Sequence, residues 1–349
     1  MATITEPVPT QARPSRPVWT LVKVLVFIAL ALVVVQVAAS HRDELTGTRR
    51  YLEDLNWAWI GVAIAAETGS MLAFTALQRR LLFAGGLDVR MRPLVAITLA
   101  GNAMANSLPA GGAFATVFAY RQYRQKGADE ALAAWTLVAV TCLTAVTLAT
   151  LAVVGAVIAG DQGSVSGLAP LIALLLVGPA AGLTLIIRPL LLVPIGVPPL
   201  RLARWLTGRP RQDPVEMMTN AARRLAAVAP KLPDWAVCVG WASCNWAADL
   251  GCLIAAFHAV GAPVPARALL LAYGAAQVAA NLPITPGGLG VVEGSLAVAL
   301  VAFGGSTEAT VAAVLLYRIL SFWVLLPIGW AAWGGLRWQA RRAERAAVS

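Results

Sequence analysis

Two short motifs constrain this chain more than any other part of it. Asn106-Ser107-Leu108-Pro109-Ala110-Gly111-Gly112 and Asn281-Leu282-Pro283-Ile284-Thr285-Pro286-Gly287-Gly288 each interrupt an apolar stretch. Proline has no N–H to give a helix, and glycine frees the backbone to turn. In hydrocarbon an unpaired backbone group is costly, so irregular backbone at that depth persists only inside protein or beside a water-filled cavity. A pair of such breaks in corresponding halves of a membrane chain points to a transport site.

The apolar setting of the motifs is a property of the whole chain. With 59% hydrophobic and 13% charged residues, it has too little polar surface for a soluble domain and reads as a polytopic membrane protein. The net charge of +10 does not indicate nucleic acid, because the Lys and Arg residues lie between apolar segments, where they set membrane topology. Cys142, Cys238, Cys244 and Cys252 fall within apolar segments without metal spacing, and His41 and His258 sit at expected helix ends. No metal centre and no cofactor is expected. The longest polar stretch, Arg188 to Asp234, is too short for an independent catalytic fold, so any chemistry would lie within the membrane.

Full-length spans are expected at 19–39, 57–77, 131–159, 170–193, 235–259 and 309–334. The broken regions 94–120 and 268–304 divide into pieces too short to cross and read as re-entrant hairpins. The expected fold is an all-α integral membrane protein with six full transmembrane helices and two re-entrant broken hairpins in an inverted repeat. A cytoplasmic tail (1–18) precedes the first repeat (19–159). The second repeat (170–334) carries a basic cytoplasmic loop at 194–234, and 335–349 forms a second cytoplasmic tail. Residues 13–40 have signal-peptide features but read better as an uncleaved first helix. This arrangement gathers nearly all basic residues on one side, as the positive-inside rule requires. Each half makes an odd number of crossings, which turns the second upside down and directs the two hairpin tips toward the midplane.

Gly111-Gly112 and Gly287-Gly288 each precede a new apolar segment, placing the N–H groups of a half-helix at depth. Such an end favours an anion, and a lipid phosphate is the natural ligand, unless the breaks serve helix packing alone. Asn281 belongs to the polar set around the breaks, with Asn102, Asn106, Gln277 and Thr285; this set suits a headgroup or, more simply, the freed backbone. Ionisable residues at bilayer depth are costly and few. Glu67 and Asp249 occupy corresponding helices, Asn245 lies one turn before Asp249, Glu293 follows the second glycine pair, and Arg318 lies in the last span. Arg318 pairs with either Glu293 or Asp249. It serves either as a structural bridge or as a phosphate ligand, with Glu67 and Asp249 as alternating partners or proton carriers.

The stretch Leu282-Pro283-Ile284-Thr285-Pro286-Gly287-Gly288-Leu289-Gly290-Val291-Val292-Glu293, followed by Arg318 and Trp323, resembles the signature of the flippase-like domain family. This is the family of the transmembrane region of bacterial lysylphosphatidylglycerol synthases. Leu108-Pro109-Ala110-Gly111-Gly112 with Tyr120-Arg121 and Gly127 is similar to its first motif, although Ala113, Phe114 and Ala115 supply no polar residue after the glycines. The resemblance implies a multi-pass protein of the bacterial plasma membrane that moves or presents an anionic lipid or lipid-linked sugar between leaflets. It places the functional weight on Gly287, Gly288, Gly290, Glu293 and Arg318. The synthases' soluble domain, which transfers lysine from tRNA to phosphatidylglycerol, is not expected here, so neither is enzymatic activity. A flippase is the expectation, with a non-transporting scaffold for an envelope glycosyltransferase or lipid-modifying enzyme as the alternative. An intramembrane enzyme ranks last, because Asp249, Glu293 and Glu67 show no catalytic spacing.

Overall fold

Long uninterrupted apolar runs have one economical way to satisfy their backbone, and the chain uses it. The computed structural model describes residues 54–159, 230–280, 286–302 and 306–346, with scattered positions between 177 and 226. Its helices are α1 (Trp57–Ala84), α2 (Met91–Ser107), α3 (Gly111–Gln125), α4 (Glu130–Ala159), α5 (Leu232–Ala259), α6 (Ala266–Ala280), α7 (Val291–Ala302), α8 (Thr307–Arg318) and α9 (Leu325–Ala346). No strand occurs among the described residues. Four stretches there are long and apolar enough to cross a bilayer: α1, α4, α5 and Thr307–Arg342. The expected span at 19–39 and tail at 1–18 lie outside the described residues, and 170–193 and the loop 194–234 are described only in part.

Local sequence explains the helix details. Asn56 caps α1, its side-chain oxygen accepting the Ala58 N–H at 3.1 Å. In α4 the hydroxyls of Thr141, Thr144, Thr147 and Thr150 each donate to the carbonyl one turn back, satisfying them within the helix. The last expected span is not a single regular helix. Five residues, Ile319–Trp323, form a π-turn between α8 and α9, closed by the Val324 N–H on the Ile319 carbonyl at 2.9 Å.

Both motifs break their apolar stretch as expected, and in each case the two arms pack on one another. At the first break α2 ends at Ser107, Pro109 has no N–H to continue it, and Ala110 adopts a left-handed conformation at φ 52°. Gly111 follows because a Cβ there would run into the carbonyls of Met104 and Ala105. At the second, residues 281–285 lie outside the described set, and Pro286–Gly288 form a short 3-10 turn ahead of α7.

α1 and α5 pack antiparallel along their full length. The Asn56 N–H donates to the Ala259 carbonyl at one end, and Arg80 pairs with Asp234 at the other. Small residues bring the axes together at the centre, where Gly69 faces Ala248 and Gly251 faces Ala66. Two further contacts match one another: α2 packs on α9, and α6 packs on α4. Glycine makes both close, Gly329 against Leu99 and Ala103 in the first, Gly155 and Gly274 against Leu270, Leu271 and Ala152 in the second.

The apolar core is divided. One cluster joins Leu77, Leu81 and Leu82 of α1 to Leu94, Ile97, Tyr123, Leu132 and Cys238. The other joins Ile60 and Ala63 of α1 to Leu253, Phe257, Tyr273, Leu296 and Val314. Between them, on α1 and α5, lie Glu67, Ser70, Asn245 and Asp249, all buried.

Candidate functional site

The polar layer borders a cavity of about 400 Å³, to which α1 contributes Glu67, Ser70, Met71, Phe74 and Gln78. Steps of three and four residues put these on one helix face. Glu67 and Gln78 are eleven residues apart, so the lined face runs about 16 Å along the axis. Glu67, Asp249 and Arg318 are the charged side chains on its wall among the described residues.

Asp249 is anchored through one oxygen. Its Oδ2 accepts from Tyr317 Oη at 3.0 Å, from Gln277 Nε2 at 2.9 Å and from the hydroxyl of Tyr273. Tyr273 and Gln277 are four apart on α6 and so present one face, while Tyr317 precedes Arg318 on α8. Glu67 reaches the same carboxyl from α1. It is only 4% exposed, and its Oε2 has no hydrogen-bond partner among the described residues.

Arg318 settles the pairing that the sequence left open. Its Nε donates to Glu293 Oε1 at 2.7 Å, and Nη2 donates to the Gly287 carbonyl at 3.1 Å. The guanidinium also lies 4.4 Å from the Phe322 ring centroid. Arg318 is 8% exposed and lies on the cavity wall, and its Nη1 meets no protein acceptor among the described residues. Glu293 has a second task, since its Oε2 accepts the Gly290 N–H at 2.8 Å just ahead of α7.

The two motifs meet at this place. Gly287 has φ 63°, and a Cβ on it would lie 2.7 Å from the Asn106 carbonyl oxygen and run into the Phe322 ring. Asn106 itself donates to Asn102 at 3.0 Å, and both line the cavity.

The expected site residues therefore divide. Glu67, Asp249, Gly287 and Arg318 border the cavity, and Glu293 joins them through Arg318. Gly288 is buried against Val292 and Ala280, Gly290 is exposed, and Asn281 lies outside the described residues. Gly111 packs on the end of α2, and the first turn uses its N–H and that of Ala113, leaving the exposed Gly112 N–H open among the described residues. Neither Gly111 nor Gly112 lines the cavity. At the second half-helix end a carboxylate lies close by, since Glu293 Oε2 accepts the Gly290 N–H just ahead of α7.

Tyr273, Tyr317 and the uncharged end of the cavity do not stand out in the sequence. There Gln78 Oε1 accepts from Tyr123 Oη and, at 3.4 Å, from Thr98 Oγ1, to which Thr75 donates at 3.1 Å. The spacing of Tyr273 and Gln277 in an otherwise apolar helix was the available signal. Ser321, on the π-turn, also lines the cavity, and its Oγ has no partner among the described residues.

Residues 20–329 match the model of a protein family described as the lysylphosphatidylglycerol synthase TM region, and every cavity residue falls within them. No curated protein matches the chain.

Proposed function

The chain belongs to the family of the lysylphosphatidylglycerol synthase TM region, and from that membership together with the cavity we propose that it translocates a membrane lipid between leaflets. The observation that carries this reading is a polar cavity within an apolar bundle, reached by both broken segments and holding an arginine with donors to spare. A phosphate on the lipid headgroup would meet Nη1 of Arg318, since charge-assisted contacts to a guanidinium are strong and directional. Asn102, Asn106, Ser321 and Gln78 provide hydrogen-bonding capacity for the rest of an anionic or lipid-linked sugar headgroup. The acyl chains stay in the bilayer. The protein acts as a transporter, not an enzyme, in a bacterial plasma membrane with both termini cytoplasmic.

The matched packing supports inverted repeats with re-entrant hairpins. α2 on α9 answers α6 on α4, and α1 crosses α5 antiparallel, as two halves of opposite orientation require. Alternating access would then come from one half moving against the other.

The test is reconstitution into liposomes with fluorescent phospholipids and an outer-leaflet quencher. Wild type should expose inner-leaflet lipid, and Arg318→Ala should slow this at least about tenfold, the effect of losing roughly one charge-assisted contact, while staying folded by circular dichroism. Absence of movement by wild type across anionic, aminoacylated and polyprenyl lipids would overturn the reading. It would favour a scaffold for an envelope enzyme instead.

A further inference from the structure

We propose that the Glu67–Asp249 carboxyl pair carries a transportable proton, so that an anionic headgroup and a proton cross together; this rests on the lipid-translocation reading above. Asp249 Oδ2 has three donors, from Tyr273, Tyr317 and Gln277, a set that fits an acceptor-only carboxylate. Glu67 is buried against that carboxyl, and its Oε2 has no hydrogen-bond partner among the described residues. Two buried carboxyls side by side hold together when one supplies an O–H, and both are not ionised together in a poorly polarisable interior. With the protein's donors committed to Asp249, the O–H belongs to Glu67.

The surroundings fix the charge. From α6 the pair faces Tyr273 and Gln277, from α8 Tyr317 and Arg318, and from α5 Cys252. Arg318 is the basic group among these, and Glu293 already neutralises it. One negative charge therefore remains on the pair. A phosphate arriving at Arg318 would add a second beside it, and like charges repel strongly at this depth. A second proton on the pair removes that repulsion. It is taken from water on the side from which the headgroup enters, sits on a carboxylate oxygen during passage, and returns to water on the far side. With a singly charged phosphate the combined movement is electroneutral.

The experiment uses wild-type protein in liposomes containing fluorescent phosphatidylglycerol, with a pH difference of one unit imposed across the bilayer. One proton per lipid predicts about tenfold enrichment of the probe in the leaflet facing the alkaline side, unchanged when a potassium diffusion potential is added. Replacing both carboxyls, Glu67→Gln with Asp249→Asn, should bring the enrichment close to unity, whereas Glu67→Gln alone, which mimics the resting protonated carboxyl, should keep it. Probe that moves but distributes equally under either gradient overturns the coupling and leaves translocation standing. Probe that does not move overturns the translocation reading and the coupling with it. Infrared spectroscopy gives a readout independent of transport and of any variant. Wild type should show the C=O stretch of a protonated carboxylic acid at neutral pH, shifted in heavy water, and its absence sinks the proposal.

Discussion

Gly287 and Gly290 differ in a way that separates backbone conformation from crowding. Both have left-handed backbone, at φ 63° and φ 78°, and a side chain at either costs roughly 1 kcal/mol for that alone. A Cβ on Gly290 meets nothing within 4 Å among the described residues, whereas one on Gly287 strikes Phe322 and the Asn106 carbonyl. Gly287→Ala should therefore lower the melting temperature in detergent clearly more than Gly290→Ala, and lipid movement should fall with it. Equal losses would mean that the two hairpin tips do not touch. Glu293 gives a second residue-level prediction. Its side chain closes the ion pair with Arg318 and accepts the Gly290 N–H, so Glu293→Ala leaves a buried guanidinium without its counter-ion. Breaking such a pair from one side costs about 3 kcal/mol or more. Thermal unfolding should show a larger loss for Glu293→Ala than for Asp88→Ala, whose pair with Arg79 is half-exposed.

Elements were legible where one residue type dictates the backbone. Pro109 and Gly111 announce the end of α2 and the start of α3, because one lacks an N–H and the other must lie against carbonyls. The π-turn was not legible. Ile319, Leu320, Ser321, Phe322 and Trp323 contain no helix breaker, and their wider winding is seen only in the packed structure. The partners of Asp249 were hidden for a related reason: Tyr273 and Tyr317 lie 24 and 68 residues away in sequence, and only packing brings them to one oxygen. The charged members Glu67, Asp249, Glu293 and Arg318 stood out because apolar helices rarely carry such residues. Helix pairing offers its own test. Gly155→Leu and Gly274→Leu place side chains into the backbone or Cβ of the facing helix, while Gly240 has nothing within 4 Å. The first two should be strongly destabilised in a thermal shift assay and Gly240→Leu hardly at all; similar behaviour of all three would refute the α4–α6 contact.

On the scale of the whole molecule, helix ends sort into two sets. The Arg80–Asp234 pair places the end of α1 and the start of α5 on one side, and the Asn56–Ala259 contact places their other ends opposite. In a background without the exposed Cys244, Lys126→Cys and Lys231→Cys should react with a membrane-impermeant thiol reagent from the cytoplasmic face, and Pro263→Cys from the other. Labelling of all three from one face would refute the inverted arrangement. The seam between α1 and α5 has a mechanical consequence. Gly69, Ala66, Ala248 and Gly251 present almost no side chain to interlock, so the two helices meet as smooth cylinders at their centre. With the Arg80–Asp234 pair and the Asn56–Ala259 contact holding the two ends, the centre offers little steric resistance to a small axial shear. Glu67 and Asp249 lie on the same stretch, so the carboxyl pair is the detent that such a shear has to cross.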